Sequence, residues 1–389
     1  MNFNYFVPTK ILFGKGKLNE LHKESLPGKK AIIVISSGKS MRANGYLQKV
    51  EEQLRLGGVQ SIVFDKILPN PIKSHVMEGA ALAKQEKCDF VVGLGGGSSI
   101  DAAKSIAVMA TNEGDYWDYV GGGSGKALPV PNDPLPIVAI TTTAGTGTEA
   151  DPWTVITKDD TNEKIGFGYS KTFPVLSVVD PELMLTVPPH LTAFQGFDAL
   201  FHSTEGYINI TANTMSDLYS LKAIELLAKN LPDAVKDGSN LDAREKVALG
   251  NTLAGMVEST SGCTSEHSLE HAMSAYHPEL PHGAGLIMIS KEYFTFFAKK
   301  QVCNARMINM AKAMGIDNAN DPIDFVEALV NLQKACNVHE LKMSDYGINK
   351  EEIPTLAKNA YETMGGLFEV DPAPVSLEDC IAIYEASYR

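Results

Sequence analysis

The chain has 389 residues, more than one hydrophobic core usually supports, so two domains are expected. Hydrophobic residues make up 44% and charged residues 21%, an ordinary globular balance that excludes a disordered or fibrous chain. The formal net charge of −13 carries no acidic tail and argues against a nucleic-acid groove or an anionic membrane as partner, since both want a basic surface.

In chain order, the opening "MNFNYFVPTKILFGKG" lacks a basic start followed by a long apolar run, so no signal peptide is expected there. "KAIIVISS" (30–37) reads as a buried strand, and "NGYLQKVEEQLRLGG" as an amphipathic helix closed by glycine. "SIVFDKI", "SHVMEGAALAKQEK" and "CDFVVGLGGGSS" repeat the strand, the helix and the strand, and "LPIVAITTT", "TVIT" and "VLSVVD" add further strands. Strands alternating with helices of this length predict βαβ units and a mostly parallel sheet, hence an α/β domain over residues 1–186. After "DPELMLTVPP" the texture changes. "LTAFQGFDALFHSTEGYI", "SDLYSLKAIELLAKNL", "AREKVALGNTLAGMVEST", "DPIDFVEALVNLQKAC" and "SLEDCIAIYEASY" are all helically periodic, so residues 187–389 are expected to be all-α. The Pro188-Pro189 pair fits an abrupt helix start, with Thr192 a candidate N-cap. No stretch approaches the roughly 20 apolar residues that span a bilayer. Five scattered cysteines (88, 263, 303, 336, 380) without a C-x-x-C pair read as reduced thiols of a cytoplasmic protein.

Three glycine clusters compete for a phosphate. "FVVGLGGGSSIDAAKSIAVMAT" (90–111) is strand, Gly-rich turn and helix, with Ser98 or Ser99 as the expected cap. Such a turn brings backbone N–H groups close to a phosphate at a helix N-terminus. It is neither G-x-G-x-x-G nor a Walker A loop, and a tight βα turn without ligand would read the same. "GGGSG" (121–125) is followed by "KALPVPNDPLP" and no helix, so it reads as a surface loop. "TTTAGTGTEAD" (141–151) ends a strand with hydroxyls and bare backbone, which suits a ligand at the carboxyl end of an open sheet, or a merely polar turn.

Histidines supply the other signal. Asp198 and His202 stand at i and i+4 of one predicted helix, as do His267 and His271 of another, and His282 follows in "LPHGAG". One carboxylate and up to four imidazoles suffice for a single divalent cation, and an N/O set suits Fe²⁺ or Zn²⁺ better than Mg²⁺ or Ca²⁺.

"GGGSSIDAAK", "TTTAGTGTEA", "GFDALFHSTEGY" and "HSLEHAMSAYHPELPHG", in this order and over nearly the whole chain, resemble the iron-containing (group III) alcohol dehydrogenases of the dehydroquinate synthase-like superfamily. The resemblance implies a Rossmann-like dinucleotide-binding domain followed by a helical metal domain, with the active site in the cleft between them. It implies metal ligands Asp198, His202, His267 and His282, a pyrophosphate on Gly96, Gly97, Ser98 and Ser99, and a cofactor lying along Thr141, Thr142 and Thr146. Asn70 matches an asparagine that faces the adenine nucleotide, and Asp151 stands next to the nicotinamide where relatives carry a small hydroxyl residue. Lys164 is assigned to the cofactor as well, and Trp153 is a candidate for narrowing the substrate pocket. His271 resembles a proton relay or positioning group near the reacting carbon, and His277 matches nothing and reads as a surface residue. The activity implied is hydride transfer between a nicotinamide dinucleotide and a small primary alcohol or aldehyde, in a homo-oligomer, a dimer by analogy. A polyol dehydrogenase, or a metal- and NAD-dependent lyase or cyclase, is the alternative on the same scaffold.

One departure bears on the cofactor. NAD-using relatives carry an acidic residue after the first strand to bond the adenosine ribose, whereas this chain has Ser36, Ser37, Gly38, Lys39 and Ser40, with Arg42 beyond. Losing the carboxylate removes repulsion towards a 2′-phosphate, and Lys39 or Arg42 could neutralise one, which favours NADP(H) over NAD(H).

Overall fold

The computed structural model describes residues 2–389, in two compact units: one of residues 6–144 and 148–186, the other of residues 2–5, 145–147 and 187–389.

The first unit is a six-stranded parallel sheet. Its strands are β1 (Lys10–Phe13), β2 (Lys30–Ser36), β3 (Gln60–Ile67), β4 (Phe90–Gly95), β5 (Ile137–Thr141) and β8 (Leu176–Val179), in the order β1-β8-β5-β4-β2-β3. The runs Ala31–Ile35 and Val91–Val92 are fully buried, because a parallel sheet covered on both faces needs continuous apolar strands. Helices α1 (Ser40–Ala43), α2 (Tyr46–Leu56), α3 (Lys73–Gln85) and α4 (Gly97–Thr111) provide the crossovers. The strand order reverses between β2 and β4, so the carboxyl ends of those two strands form the switch point of a doubly wound sheet. One end leads into Gly38, Lys39 and Ser40, and the other into Gly96, Gly97, Ser98 and Ser99. Gly93 permits this packing, since a Cβ there would lie 2.9 Å from the Ile100 backbone of α4.

Three local expectations change. "TVIT" is not part of the parallel sheet: it is β6 (Thr154–Lys158), paired antiparallel with β7 (Glu163–Phe167), a strand the polar sequence "EKIGF" concealed. No serine caps α4; its N-cap is Gly96, and the Ser98 hydroxyl turns away to the Pro69 carbonyl. Residues 145–147 leave the sheet unit for the helical one, where the Gly147 amide donates to Asn251 Oδ1 at 2.9 Å. Gly147 holds a positive φ of 64° against the backbone of Gly255, a conformation and an approach that only glycine meets without strain.

The second unit is helical: α5 (Pro189–Ile208), α6 (Thr214–Lys236), α7 (Leu241–Glu258), α8 (Ser265–Tyr276), α9 (His282–Lys300), α10 (Asn304–Ala313), α11 (Ile323–Ala335), α12 (Ile353–Thr363) and α13 (Leu377–Ser387). Pro189 opens α5 at its first position, where a missing N–H costs nothing. Thr192 is therefore not its cap. It lies inside the first turn, where its hydroxyl donates to the Val187 carbonyl and accepts from Arg244. An aromatic cluster of Phe197, Phe201, Phe294, Tyr293, Phe297 and Phe325 locks α5, α9 and α11 together. Gly283 lets the start of α9 approach the Phe194 carbonyl of α5, and this close approach sets the position of His282.

Candidate active site

Four helix-borne side chains converge in the helical unit. Asp198 and His202 project from one face of α5, His267 comes from α8, and His282 is the first residue of α9. Asp198 Oδ1 lies 3.7 Å from His202 Nδ1, 3.6 Å from His267 Nε2 and 3.4 Å from His282 Nε2. These separations are too long for hydrogen bonds. They match the edge of a tetrahedron of ligands around one cation, which is about 3.4 Å for metal–ligand bonds of about 2.1 Å. Asp198 Oδ1, His202 Nδ1 and His267 Nε2 are all buried without a hydrogen-bonding partner, an arrangement that costs free energy unless something sits among them. The residues present therefore fit a single divalent ion.

The electrostatics agree. Burial works to raise the Asp198 carboxyl, but the imidazoles of His202 and His282 override it and hold it well below the usual carboxylate range. Burial pushes His202 down to about 3 against the pull of Asp198, which leaves a neutral imidazole with a lone pair to give. Burial acts the same way on His267, yet Glu205 and Asp198 reverse the effect and hold its imidazole well above the ordinary histidine range. The centre of the set thus demands positive charge.

His271, one turn beyond His267, is buried, with its ring 5.3 Å from that of His282 and its Nδ1 2.9 Å from Met364 Sδ. Its nitrogens also come close to His282 and Glu270, so it borders the four-residue set. His277 is not the surface residue the sequence suggested. Its side chain is mostly buried, and its Nε2 faces Glu352 at 3.4 Å.

The expected cofactor residues lie mainly at the carboxyl ends of the sheet strands. Gly95 adopts φ 146°, and a side chain there would collide with Ser99 Oγ, so the turn into α4 needs glycine. Gly96 and Gly97 open α4 with no side-chain cap, which presents bare backbone at a positive helix end. Thr141 and Thr142 are buried at the end of β5, and the Thr142 amide donates to the Gly95 carbonyl at 2.9 Å. Thr146 belongs to the three-residue excursion into the helical unit. Lys164, on β7, donates to Asn70 Oδ1 at 3.2 Å, so two separately assigned residues share one bond. Gly38, Lys39 and Ser40 are exposed beyond β2, with Lys39 as the N-cap of α1.

Two of the residues expected at the cofactor have charged partners within the protein. Asp151, expected beside the nicotinamide, is buried with its Oδ1 3.1 Å from Lys104 Nζ and accepting the Trp153 amide at 2.7 Å. Lys104 is completely buried and also donates to Thr148 Oγ1 and to the carbonyls of Asp151 and Trp153, so Asp151 serves an internal ion pair. The Trp153 side chain is 39% exposed. Arg42 is no free cation either. Its guanidinium pairs with Asp65 of β3 at 2.8 Å, a carboxylate distant in sequence that the fold carries to the same sheet end.

Sequence reasoning missed Glu205 and Glu270. Glu205 contacts His267 Nδ1 and also accepts the Thr264 amide and hydroxyl at 2.9 Å each, while Glu270 contacts His282 Nδ1. A signal was available: His-Ser-x-Glu occurs twice, at 202–205 and 267–270, with the histidine a candidate ligand each time.

Comparison with known proteins follows the same lines. Residues 8–181 match the family model for iron-containing alcohol dehydrogenase, and residues 192–388 match that for the C-terminal part of the Fe-containing alcohol dehydrogenase family. The 1,3-propanediol dehydrogenase of Klebsiella pneumoniae is 31% identical over 99% of both chains. The NAD-dependent methanol dehydrogenase of Bacillus methanolicus is 33% identical over 92% of this chain and 93% of its own. Among solved structures, an archaeal halo-thermophilic alcohol dehydrogenase from a Red Sea brine pool superposes with a TM-score of 0.94 at 34% identity, covering 100% of this chain and 99% of that one. Fold, site chemistry and sequence lead to one conclusion: the chain belongs to the iron-containing alcohol dehydrogenase family of metal-dependent oxidoreductases.

Proposed function

We propose that the protein interconverts a small primary alcohol and its aldehyde, with NADP(H) preferred over NAD(H) and one Fe²⁺ or Zn²⁺ held by Asp198, His202, His267 and His282. The observation that carries this reading is the convergence of those four side chains with three buried, partnerless polar atoms among them. A cation held by these four residues would supply Lewis acidity towards the substrate oxygen, and a bound nicotinamide would supply the hydride chemistry. The chain's own residues do the rest. Gly96, Gly97, Ser98 and Ser99 hold the pyrophosphate at the start of α4, and Thr141, Thr142 and Thr146 line the dinucleotide. Asn70 and Lys164 hold its adenosine half as a bonded pair. His271, with Nδ1 turned to Met364, is assigned to pass the alcohol proton through Nε2.

Support for NADP(H) rests on Lys39. No carboxylate stands between Ser36 and Ser40, and with Arg42 engaged by Asp65, Lys39 is the cation left to meet a 2′-phosphate. Five buried free thiols support a cytoplasmic setting. The exposed aromatics Phe3, Tyr5 and Phe6, which precede the sheet-edge strand β1, support a homodimer.

The test follows NADPH and NADH oxidation side by side with a short aldehyde series, on protein stripped by chelator and reloaded with Fe²⁺ or Zn²⁺. Activity should return with the metal and favour NADPH. Lys39→Ala should lower kcat/KM for NADPH by about 10- to 100-fold, the worth of a charge-assisted bond, and leave NADH nearly unchanged. Metal-restored activity that favours NADH would retain the enzyme and discard the role of Lys39. No activity with any metal would overturn the whole reading.

A further inference from the structure

We propose that Glu205 and Glu270 are positioning residues that set the tautomers of His267 and His282 and thereby the metal affinity of the site. This rests on the metal-site reading above. The two carboxylates form a relay across three helices. α5 carries the ligand His202 and, three residues on, Glu205, which engages Nδ1 of His267 on α8. α8 in turn carries His267 and, three residues on, Glu270, which engages Nδ1 of His282 on α9. α5 and α8 each therefore carry a proposed ligand histidine together with the carboxylate that orients the ligand histidine of the next helix. His202, at the head of the series, is bonded instead to the backbone carbonyl of Gly145.

A nitrogen that faces a carboxylate must carry the proton, so Nδ1 of His267 and of His282 is the donor in each contact. In a neutral imidazole the other nitrogen then presents a lone pair, and in both rings that atom is the Nε2 pointing at Asp198 Oδ1. The opposite tautomer would turn an N–H into the place of the cation. Both glutamates are completely buried, so neither contact is shared with solvent. Burying a carboxylate is costly without such a task, and the carboxylates also add negative charge close to a divalent ion. Glu205 is further fixed by the Thr264 amide and hydroxyl, whereas the side chain of Glu270 packs against Gly285 of α9, where any Cβ would meet its Oε1 at 2.8 Å.

The test uses the full chain, stripped of metal and titrated with Zn²⁺ against a chromophoric chelator, for wild type, Glu270→Gln and Glu205→Gln. A glutamine keeps the shape, but it lacks the charge and can turn its amide N–H₂ towards Nδ1, which favours the wrong tautomer. Wild type should bind one Zn²⁺ per chain. Glu270→Gln should bind about 10- to 100-fold more weakly, with the metal-free protein still folded by circular dichroism. Co²⁺ in place of Zn²⁺ should show a shifted visible band in the variant, a change that a purely structural role would not produce. Should Glu270→Gln not fold, Glu205→Gln reads the same affinity. Zn²⁺ affinity of both variants within twofold of wild type would overturn the positioning role and leave the metal site standing. A wild type that binds no Zn²⁺ would instead overturn the metal-site reading beneath it.

Discussion

Lys104→Met tests the account given for Asp151. Lys104 has no exposed surface, and its ammonium donates to Thr148 Oγ1 at 2.6 Å, the Trp153 carbonyl at 2.7 Å, the Asp151 carbonyl at 2.9 Å and the Asp151 carboxylate at 3.1 Å. Methionine fills much the same volume without charge, so the perturbation is chiefly electrostatic. It leaves the buried Asp151 carboxylate with the Trp153 amide and no cation, and it strips a donor from two carbonyls. Breaking a buried ion pair by removing one partner costs about 3–5 kcal/mol. For a unit the size of the sheet unit, each kcal/mol lowers Tm by about 2–4 °C, so the expected fall is about 6–20 °C by calorimetry. Adding Asp151→Asn removes the orphaned charge, and the double variant should recover about 0.5–3 kcal/mol relative to the sum of the single changes. A Lys104→Met protein that melts within about 1 °C of wild type, or strictly additive effects, would refute the reasoning and return Asp151 to consideration as a cofactor contact.

Two further outcomes follow from the helical unit. Burial pushes the Asp371 carboxyl up to about 7, against the bonds it accepts from Ser265 and Tyr293. The native state therefore binds this proton more tightly than the unfolded chain does, and the stability tied to it is present near pH 4 and lost as pH rises towards 7. Asp371→Asn mimics the protonated acid, so it should exceed wild type at pH 8 by up to about 4 kcal/mol, with the margin shrinking to nothing near pH 4; urea unfolding of metal-free protein that shows a pH-independent difference would sink this. Gly283→Ala should push the start of α9 away from the Phe194 carbonyl and carry His282 with it, so Zn²⁺ affinity should drop at least tenfold in the same chelator competition, and an unaltered affinity would show that α9 absorbs the methyl elsewhere.

The legible part of the fold was whatever local periodicity records. "KAIIVISS" could only be a strand buried on both faces, and "GFDALFHSTEGY" placed Asp198 and His202 on one helical face because the i, i+4 spacing is enough to do so. What could not be read is pairing between distant segments. Arg42 looked available because its partner, Asp65, lies 23 residues on and meets it only through the order of β2 and β3 in the sheet. Asp151 was placed beside the nicotinamide by the family resemblance, and nothing local in the sequence signals that Lys104, 47 residues earlier, is aimed at it. β7 was missed because it pairs antiparallel outside the main sheet, where "EKIGF" needs no apolar run. Excursions such as 145–147 leave no compositional trace at all.

The same distinction explains why candidate ligands stand out in the sequence more readily than the carboxylates packed against them. A ligand histidine announces itself through type and spacing, whereas Glu205 and Glu270 are ordinary helix residues until three helices are assembled. Once assembled, their burial becomes an argument in itself. Asp198, Glu205 and Glu270 sit within one apolar-walled unit at 4%, 0% and 0% exposure, and a purely structural role would be met with less desolvation cost by apolar side chains. Placing three carboxylates around imidazoles, with the inner nitrogens of His202 and His267 lacking a hydrogen-bonding partner, is unfavourable for the bare protein and is relieved by a cation at the centre. On the proposed metal-site reading, folding stability and metal loading are linked, and the stability of the helical unit depends on the free metal concentration around it.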